Sequence, residues 1–204
     1  MNIFNLFKRP KAIKPLPTYP HIDLKDVPAA SCLLFYGSPG NKATETVGER
    51  LYGHKYHPPA FHAALYLGDN EILNVGRFKE IKNVYQQYTN TRRVDVIVYK
   101  LHSFDRDVVV SNGRRDISKN KHKVTDYAIT DFLRFGLKWW KPSKKDFCSE
   151  NVVENLNTIG FHPTDTEPYN TAPWDLLEWA EAHPDLATIY TLHEGDIFKQ
   201  KVGR

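Results

Sequence analysis

The sequence predicts an α+β domain, in which an antiparallel sheet packs against helices that come mainly in the second half of the chain. Between residues 31 and 101, short runs of aromatic and β-branched residues alternate with turn-like separators, which indicates consecutive strands. From residue 126 onward, apolar residues instead recur at helical spacing. Hydrophobic residues make up 41% of the 204-residue chain, enough for one compact domain with a sizeable core.

Six strands are predicted along the chain. They run over 31–36, 61–67, 71–75, 78–85, 94–101 and 188–192. The separators are rich in glycine, proline, asparagine and aspartate, which favour turns for distinct conformational reasons. One of them, Gly68-Asp69-Asn70, predicts a hairpin that places the third strand beside the second.

Helical spacing predicts further elements over 43–52, 126–140 and 146–159, and a last helix that opens near Thr171. Gly160 is the expected C-cap of the third helix, and Thr171 is the expected N-cap of the last, with Pro173 in its first turn. Residues 1–28 hold five prolines and predict an extended arm without regular structure. The predicted organisation is therefore this arm followed by a single domain over 29–204.

Composition and charge argue against several classes of function. The net charge of +4 is mildly basic, but the basic residues are scattered, without a zinc-finger spacing, an RNA-binding signature or a glycine-rich phosphate loop. Specific nucleic-acid binding is therefore not expected, whereas attraction to an anionic cell-wall polymer or lipid headgroup is compatible with the charge. Two cysteines are too few for a disulfide scaffold.

The sequence also carries expectations about location. No apolar run is long enough for a transmembrane helix. In residues 1–10 the apolar stretch is short and the positive charge follows it, unlike a signal peptide, so a cytoplasmic or phage-associated protein is expected. The apolar residues of this segment either dock on a lipid or an assembly, or pack on this same domain; they are Ile3, Phe4, Leu6 and Phe7.

Cys148 is the first candidate for chemistry, because it lies at the start of a predicted helix in the run Asp-Phe-Cys-Ser-Glu-Asn. Val152 and Leu156 follow it on one face and would anchor that helix, and Ser143 or Asp146 would cap it. At a helix N-terminus the dipole and the free N–H groups favour a thiolate and can receive a developing oxyanion. The alternative is a buried structural cysteine, which is the interpretation favoured for Cys32 in its apolar strand.

His62 and Asn74 lie on strands that precede Cys148. Strict alternation puts His62 on the face opposite Phe61, away from the more apolar side of its strand. Asn74, across the predicted hairpin, can accept a hydrogen bond from the imidazole and fix its tautomer, as in Cys-His-Asn sites. The alternatives are a core-edge histidine and an ordinary polar residue at a strand end.

Three further residues are candidates for the site, and two histidines offer a rival interpretation. Tyr36, Ser149 and Glu150 are candidates for substrate or oxyanion binding. His54 and His57 with His62 form a rival zinc constellation, which is disfavoured because neither a cysteine pair nor a His-Glu-x-x-His helix accompanies it. A loop that borders the active site explains these histidines as well, and neither a metal nor a cofactor is predicted.

These pieces together resemble the circularly permuted papain-like hydrolases of the NlpC type, including the YiiX-like branch, which are related to lecithin:retinol acyltransferase-like enzymes. The matching pieces span roughly residues 28–195; they are 61–69, Asn74, 147–150 and 173–177. The chain departs from the family's pattern in two places: Ala30-Ser31 stands where a Gly-Asp pair is usual, and Asn74 stands where a histidine or an acid is often found.

The resemblance implies a papain-like sheet or half-barrel packed against the cysteine helix, with Cys148 as nucleophile, His62 as base and Asn74 as third member. It implies a cysteine hydrolase acting on an amide bond, with a peptide or peptidoglycan as leading substrate. Two alternatives stay open: a thioesterase or acyltransferase acting on lipid, and a catalytically idle module that binds a partner or sits in an assembly.

Overall fold

A computed structural model describes residues 14–37, 56–57, 60–75, 79–87, 91, 93–120 and 147–193, and for 56–57 and 118–120 it describes the backbone alone. Within these ranges the chain is an α+β structure, a mostly antiparallel open sheet of seven strands packed with four helices. The predicted fold class is confirmed at this level.

The strands are β1 (Lys14–Pro15), β2 (His21–Ile22), β3 (Cys32–Tyr36), β4 (Tyr56–His57), β5 (Ala60–Gly68), β6 (Glu71–Val75), β7 (Lys79–Asn83), β8 (Arg93–Tyr99) and β9 (Ala187–Leu192). The helices are α1 (Val84–Gln87), α2 (Ser103–Asn120), α3 (Cys148–Asn157) and α4 (Pro173–Ala182). Short 3₁₀ turns run over Leu24–Asp26 and Pro168–Asn170.

The large sheet has the strand order β2-β9-β8-β3-β5-β6-β7, and β1 and β4 form a separate parallel pair. Every neighbouring pair in the large sheet is antiparallel except β2 with β9. β3 lies at the centre and all five of its residues are buried, because both faces of the sheet are covered there. Its uniformly apolar sequence follows from that position.

The two faces of the sheet carry separate hydrophobic clusters. On one face, alternate residues of β3 and β5 pack with apolar residues of α2, α3 and α4. On the other face, the intervening residues pack with Leu24 and Val27 of the N-terminal segment. The alternation that predicted the strands is therefore the alternation between these two clusters.

The central and last strands agree with the sequence prediction to within two residues. β7 is shorter than predicted, since the chain turns into α1 at Val84. Residues 14–28, part of the predicted arm, are not entirely without regular structure. This segment contributes two strands and a 3₁₀ turn, and it buries Leu24 and Val27 on the sheet.

Helix α2 was missed by the sequence prediction. Its sequence is strongly polar and contains Gly113, so it lacks the apolar stripe that marks an amphipathic helix. It is held instead by Val109 and Ile117 in the core and by Arg106, whose guanidinium donates to the backbone carbonyls of Ala29 and Tyr99.

The helix caps differ from those predicted. Phe147 occupies the N-cap position of α3, and its N–H donates to the Glu150 carboxylate at 3.1 Å, one half of a capping box. In α4, Pro173 lies in the first turn as predicted. The N-cap position belongs to Ala172 rather than Thr171, and the Ala172 N–H donates to the Asp175 carboxylate at 2.8 Å. The predicted caps Ser143 and Asp146, and the helices expected over 43–52 and 126–140, lie outside the described residues.

Candidate active site

Cys148 is the first residue of α3 and its side chain is 5% exposed. The helix is anchored by Val152 and Leu156, both in the core as predicted. Its first backbone hydrogen bond runs from Asn151 N–H to the Phe147 carbonyl at 2.9 Å. N–H groups in the first turn of a helix lie before its first backbone hydrogen bond, so those at the start of α3 are candidates to stabilise an oxyanion beside the sulfur.

His62 lies near the start of β5, beside a β-bulge. Phe35 of β3 pairs with His62 while Tyr36 pairs with Ala60, so Phe61 is the extra residue. The prediction that Phe61 and His62 face opposite sides was therefore wrong. Phe61 packs with the cluster that contains Phe35, and its ring stacks on the imidazole at a centroid distance of 6.5 Å.

Asn74 lies on β6 and its side chain is 2% exposed. Its Oδ1 lies 2.8 Å from His62 Nε2, so the amide oxygen accepts the proton on that nitrogen. The hairpin that brings them together turns through Gly68, Asp69 and Asn70, all at positive φ, as the sequence predicted. With Nε2 committed to Asn74, Nδ1 is the ring nitrogen that remains for the thiol.

His62 also interacts with Cys148, and the balance of effects on the imidazole favours its charged form. Burial by itself lowers the pKa of His62, but the charge of Cys148 and hydrogen bonds to Cys148 and Asn74 outweigh it. The pKa therefore lies above the ordinary value of 6.5. A buried imidazolium is stabilised here because a thiolate can lie beside it, which is the ion pair that cysteine hydrolases use.

Two charged residues near this site were missed from the sequence. Glu80 pairs across the sheet with Asn74 and Lys82 with Ile72, so both side chains lie on the same face as Asn74. They form an ion pair of 2.9 Å, and the charge of Lys82 lowers the pKa of His62. The sequence carried a signal for them, because in an antiparallel pair the even-numbered residues of β7 lie opposite the even-numbered residues of β6, including Asn74.

The structure describes the surroundings of the other three candidate residues, and their functional roles stay predictions. The Ser149 hydroxyl donates to the Thr171 carbonyl at 2.6 Å and ties α3 to the segment before α4. Glu150 accepts from Phe147 N–H, as described above. Tyr36 is 1% exposed at the end of β3, where burial and the nearby charge of Asp95 raise the pKa of its hydroxyl well above the ordinary value.

Cys32 is the buried small residue that the sequence predicted, and both cysteines are free thiols. Burial strongly raises the pKa of the Cys32 thiol, and the charge of Cys148 raises it further. Cys32 is consequently a poor nucleophile near neutral pH, and Cys148 is the thiol with the neighbours needed for reaction.

His54 and the side chain of His57 lie outside the described residues, so the rival zinc constellation is not tested. Within the described ranges, no group of three or more His, Cys, Asp or Glu side chains is placed to hold a metal ion. Of the helices in those ranges, none combines the length and the apolar character needed to cross a membrane.

Comparison with known proteins adds no assignment to this site. No protein-family model matches the chain, and no curated protein is significantly similar to it. The evidence for function is therefore the arrangement of side chains itself: a helix-start thiol, an imidazole beside it, and an amide oxygen that fixes the imidazole tautomer.

Proposed function

We propose that this protein is a cysteine hydrolase that cleaves an amide bond through an acyl-enzyme on Cys148. The observation that carries the proposal is the hydrogen bond between His62 Nε2 and Asn74 Oδ1, on an imidazole that also interacts with Cys148. A cysteine buried only for packing needs neither an imidazole partner nor a third group that fixes the tautomer.

The reaction follows from these positions. The Cys148 thiolate attacks the carbonyl carbon, and the resulting oxyanion accepts hydrogen bonds from the first-turn N–H groups of α3. The C–N bond then breaks while His62 gives its Nδ1 proton to the leaving amine. Water attacks the thioester while the neutral His62 takes a proton from it; the C–S bond then breaks, the acid leaves, and Cys148 returns to a thiolate beside the protonated His62.

The fold class and the order of the site residues support a finer assignment to the circularly permuted papain-like hydrolases of the NlpC type. In that arrangement the histidine strand and the polar strand precede the cysteine helix, as β5, β6 and α3 do here. A peptide or a peptidoglycan stem peptide is the leading substrate class, on the strength of that resemblance.

Alkylation of the thiols tests the nucleophile. We expect iodoacetamide to modify Cys148 faster than a free thiol near neutral pH, and His62→Ala to slow that modification by ~10²-fold or more. Mass spectrometry of the peptide that contains Cys32 gives an internal control, since that thiol should stay unmodified in the folded protein. Equal rates for Cys148 in the wild type and in His62→Ala would show that the two residues do not act together.

Substrate assays test the bond that is cleaved. Purified peptidoglycan and synthetic stem peptides should release new amines with the wild type but not with Cys148→Ala. Release of fatty acid from acyl lipids in their place would assign a thioesterase or acyltransferase. A reactive Cys148 that turns over neither class of substrate would contradict hydrolysis and favour a module that binds without cleaving.

A further inference from the structure

An ion pair with a buried lysine and a partly exposed aspartate lies outside the site described above. Lys79, the first residue of β7, is 4% exposed, and its ammonium contacts the carboxylate of Asp116 on α2. Lysine is among the residues least often found fully buried, because removing its charge from water costs more than most ion pairs return. A lysine buried at such a cost is a candidate for a positioning role.

The pair connects the elements that carry the site. Lys79 is the cross-strand partner of Val75, the residue that follows Asn74. On the other side, Asp116 Oδ2 lies 3.5 Å from Nδ2 of Asn151, which is on α3 and 1% exposed. Asn151 follows Cys148 by three residues, close to one helical turn. The ion pair thus lies between β6, the strand that carries Asn74, and α3, the helix that carries Cys148.

We propose that Lys79 and Asp116 are positioning residues, whose ion pair holds the Cys148 turn of α3, through Asn151, in register with the strand that carries Asn74. The proposal rests on the proposed function, because it assigns a role in the reaction between Cys148 and His62. Its physical basis is that the helix moves as a unit, so a shift at Asn151 changes the distance from the Cys148 sulfur to the imidazole by a similar amount. An error of about 1 Å in such a distance is enough to cost ~10²-fold in rate.

A second ion pair of α2 provides a matched control for a test of this role. Arg114 of α2 forms a 2.6 Å ion pair with Glu71 of β6, but the two side chains are 41% and 38% exposed. It joins the same helix to the same sheet through a pair that does not involve a residue of α3. Arg114→Met therefore removes a docking contact of α2 and leaves the link between Asp116 and Asn151 in place.

The test compares alkylation of Cys148 by iodoacetamide, as a function of pH, in folded variants whose melting temperatures are measured in parallel. Lys79→Met with Asp116→Leu replaces the pair by apolar groups of similar size, which is often neutral for stability. We expect this double variant to lose ~10- to 100-fold in rate near neutral pH and to shift its pH profile towards that of an ordinary thiol. The single variant Lys79→Arg keeps the cation and should retain most of the wild-type alkylation rate. Arg114→Met should leave that rate unchanged.

Several outcomes would overturn the positioning role. A folded double variant with the wild-type rate and pH profile would do so, and so would an equal loss in Arg114→Met, which would indicate general loosening of α2. If the double variant does not fold, Asn151→Leu decides, because it cuts the link to α3 and leaves the ion pair intact. Wild-type behaviour in that variant contradicts the proposal.

The variant His62→Ala distinguishes failure of this role from failure of the proposed function. When His62→Ala slows alkylation but these variants do not, only the positioning role fails. When His62→Ala has no effect, the proposed function fails.

Discussion

The imidazole of His62 is held between two partners of different character. Asn74 fixes one ring nitrogen through a neutral amide, and Cys148 stabilises the charged ring through its own negative charge. Because the site is buried, that charge is weakly screened, and together with the hydrogen bonds to Cys148 and Asn74 it outweighs the desolvation that would otherwise favour the neutral ring. The pKa of His62 is therefore sensitive to the charge of Cys148.

This balance predicts how His62 titrates. In NMR titrations, the pKa of His62 should lie above 6.5 in the wild type. It should fall in Cys148→Ala, which removes both the charge and the hydrogen bond, and rise in Lys82→Met, which removes a repelling cation. Lys25→Met, at an exposed pair in the N-terminal segment, serves as the control and should leave the titration unchanged. An unshifted pKa in Cys148→Ala would contradict the coupling.

The same shift has a consequence for stability, with a defined sign. A histidine whose pKa is higher in the folded than in the unfolded state binds its proton more tightly when folded. Its contribution to the free energy of unfolding is fully present below the unfolded value near 6.5 and is lost as the pH rises through the folded value. Urea unfolding across that window should show this loss in the wild type and a smaller one in Cys148→Ala.

At the scale of elements, α2 shows how closely a polar helix can approach the sheet. A Cβ atom on Gly113 would lie 3.3 Å from Leu73 Cδ2 and 3.5 Å from Asn155 Oδ1. Glycine costs a helix interior about 1 kcal/mol relative to alanine, so its presence here reflects the contact rather than helix preference. The neighbour that must yield is the end of a flexible leucine side chain.

Two opposing terms therefore set the effect of substitutions at Gly113. We expect Gly113→Ala to change the free energy of unfolding by less than ~1 kcal/mol, because the gain in helix propensity offsets the tight contact. Gly113→Val places two more methyl groups than alanine in the same gap and should lower the free energy of unfolding by ~1–3 kcal/mol. Urea denaturation measures both, with Ser111→Ala at an exposed position of the same helix as control. A stabilising effect of valine would contradict the close packing.

On the scale of the whole molecule, a polar network joins the N-terminal segment to β8 and β9 of the large sheet. Arg93 of β8 donates to Asp95 at 2.7 Å and to the Pro17 carbonyl at 2.6 Å. The same Asp95 oxygen accepts from Thr191 of β9 at 2.8 Å. Asp95 is completely buried, and burial raises its pKa despite the guanidinium beside it.

Removing the arginine should expose the cost of burying that carboxylate. We expect Arg93→Met to destabilise the fold by ~3–5 kcal/mol, because it leaves a buried charge without its cation. Adding Asp95→Leu should recover much of the loss. The exposed pair variant Arg114→Met should cost less than ~1 kcal/mol in the same chemical denaturation. A mild effect of Arg93→Met would mean that Asp95 is already protonated in the fold.

Much of this architecture was predictable because its signals are local. The alternation in β3, β5 and β6 and the Gly68 turn follow from neighbouring residues, and they bring His62 and Asn74 together. The bulge at Phe61 was not predictable, because it depends on how β3 pairs with β5. Nor was α2, whose stability comes from Arg106 and from close packing rather than from an apolar stripe. The buried position of Lys79 likewise depends on a partner 37 residues away.

The pairing of β2 with β9 has a consequence for how the protein is made. β9 lies between β2 and β8, so among the described residues β2 has one neighbour in the large sheet, and that neighbour is the last described strand in chain order. During translation, residues 21–22 must wait until residues 191–192 have emerged before they can pair. The apolar Leu24 and Val27 beside β2 are therefore at risk of exposure throughout synthesis, although the residues for the hairpin of His62 and Asn74 emerge early. A ribosome stalled before residue 187 would carry that hairpin on a nascent chain whose sheet is still incomplete.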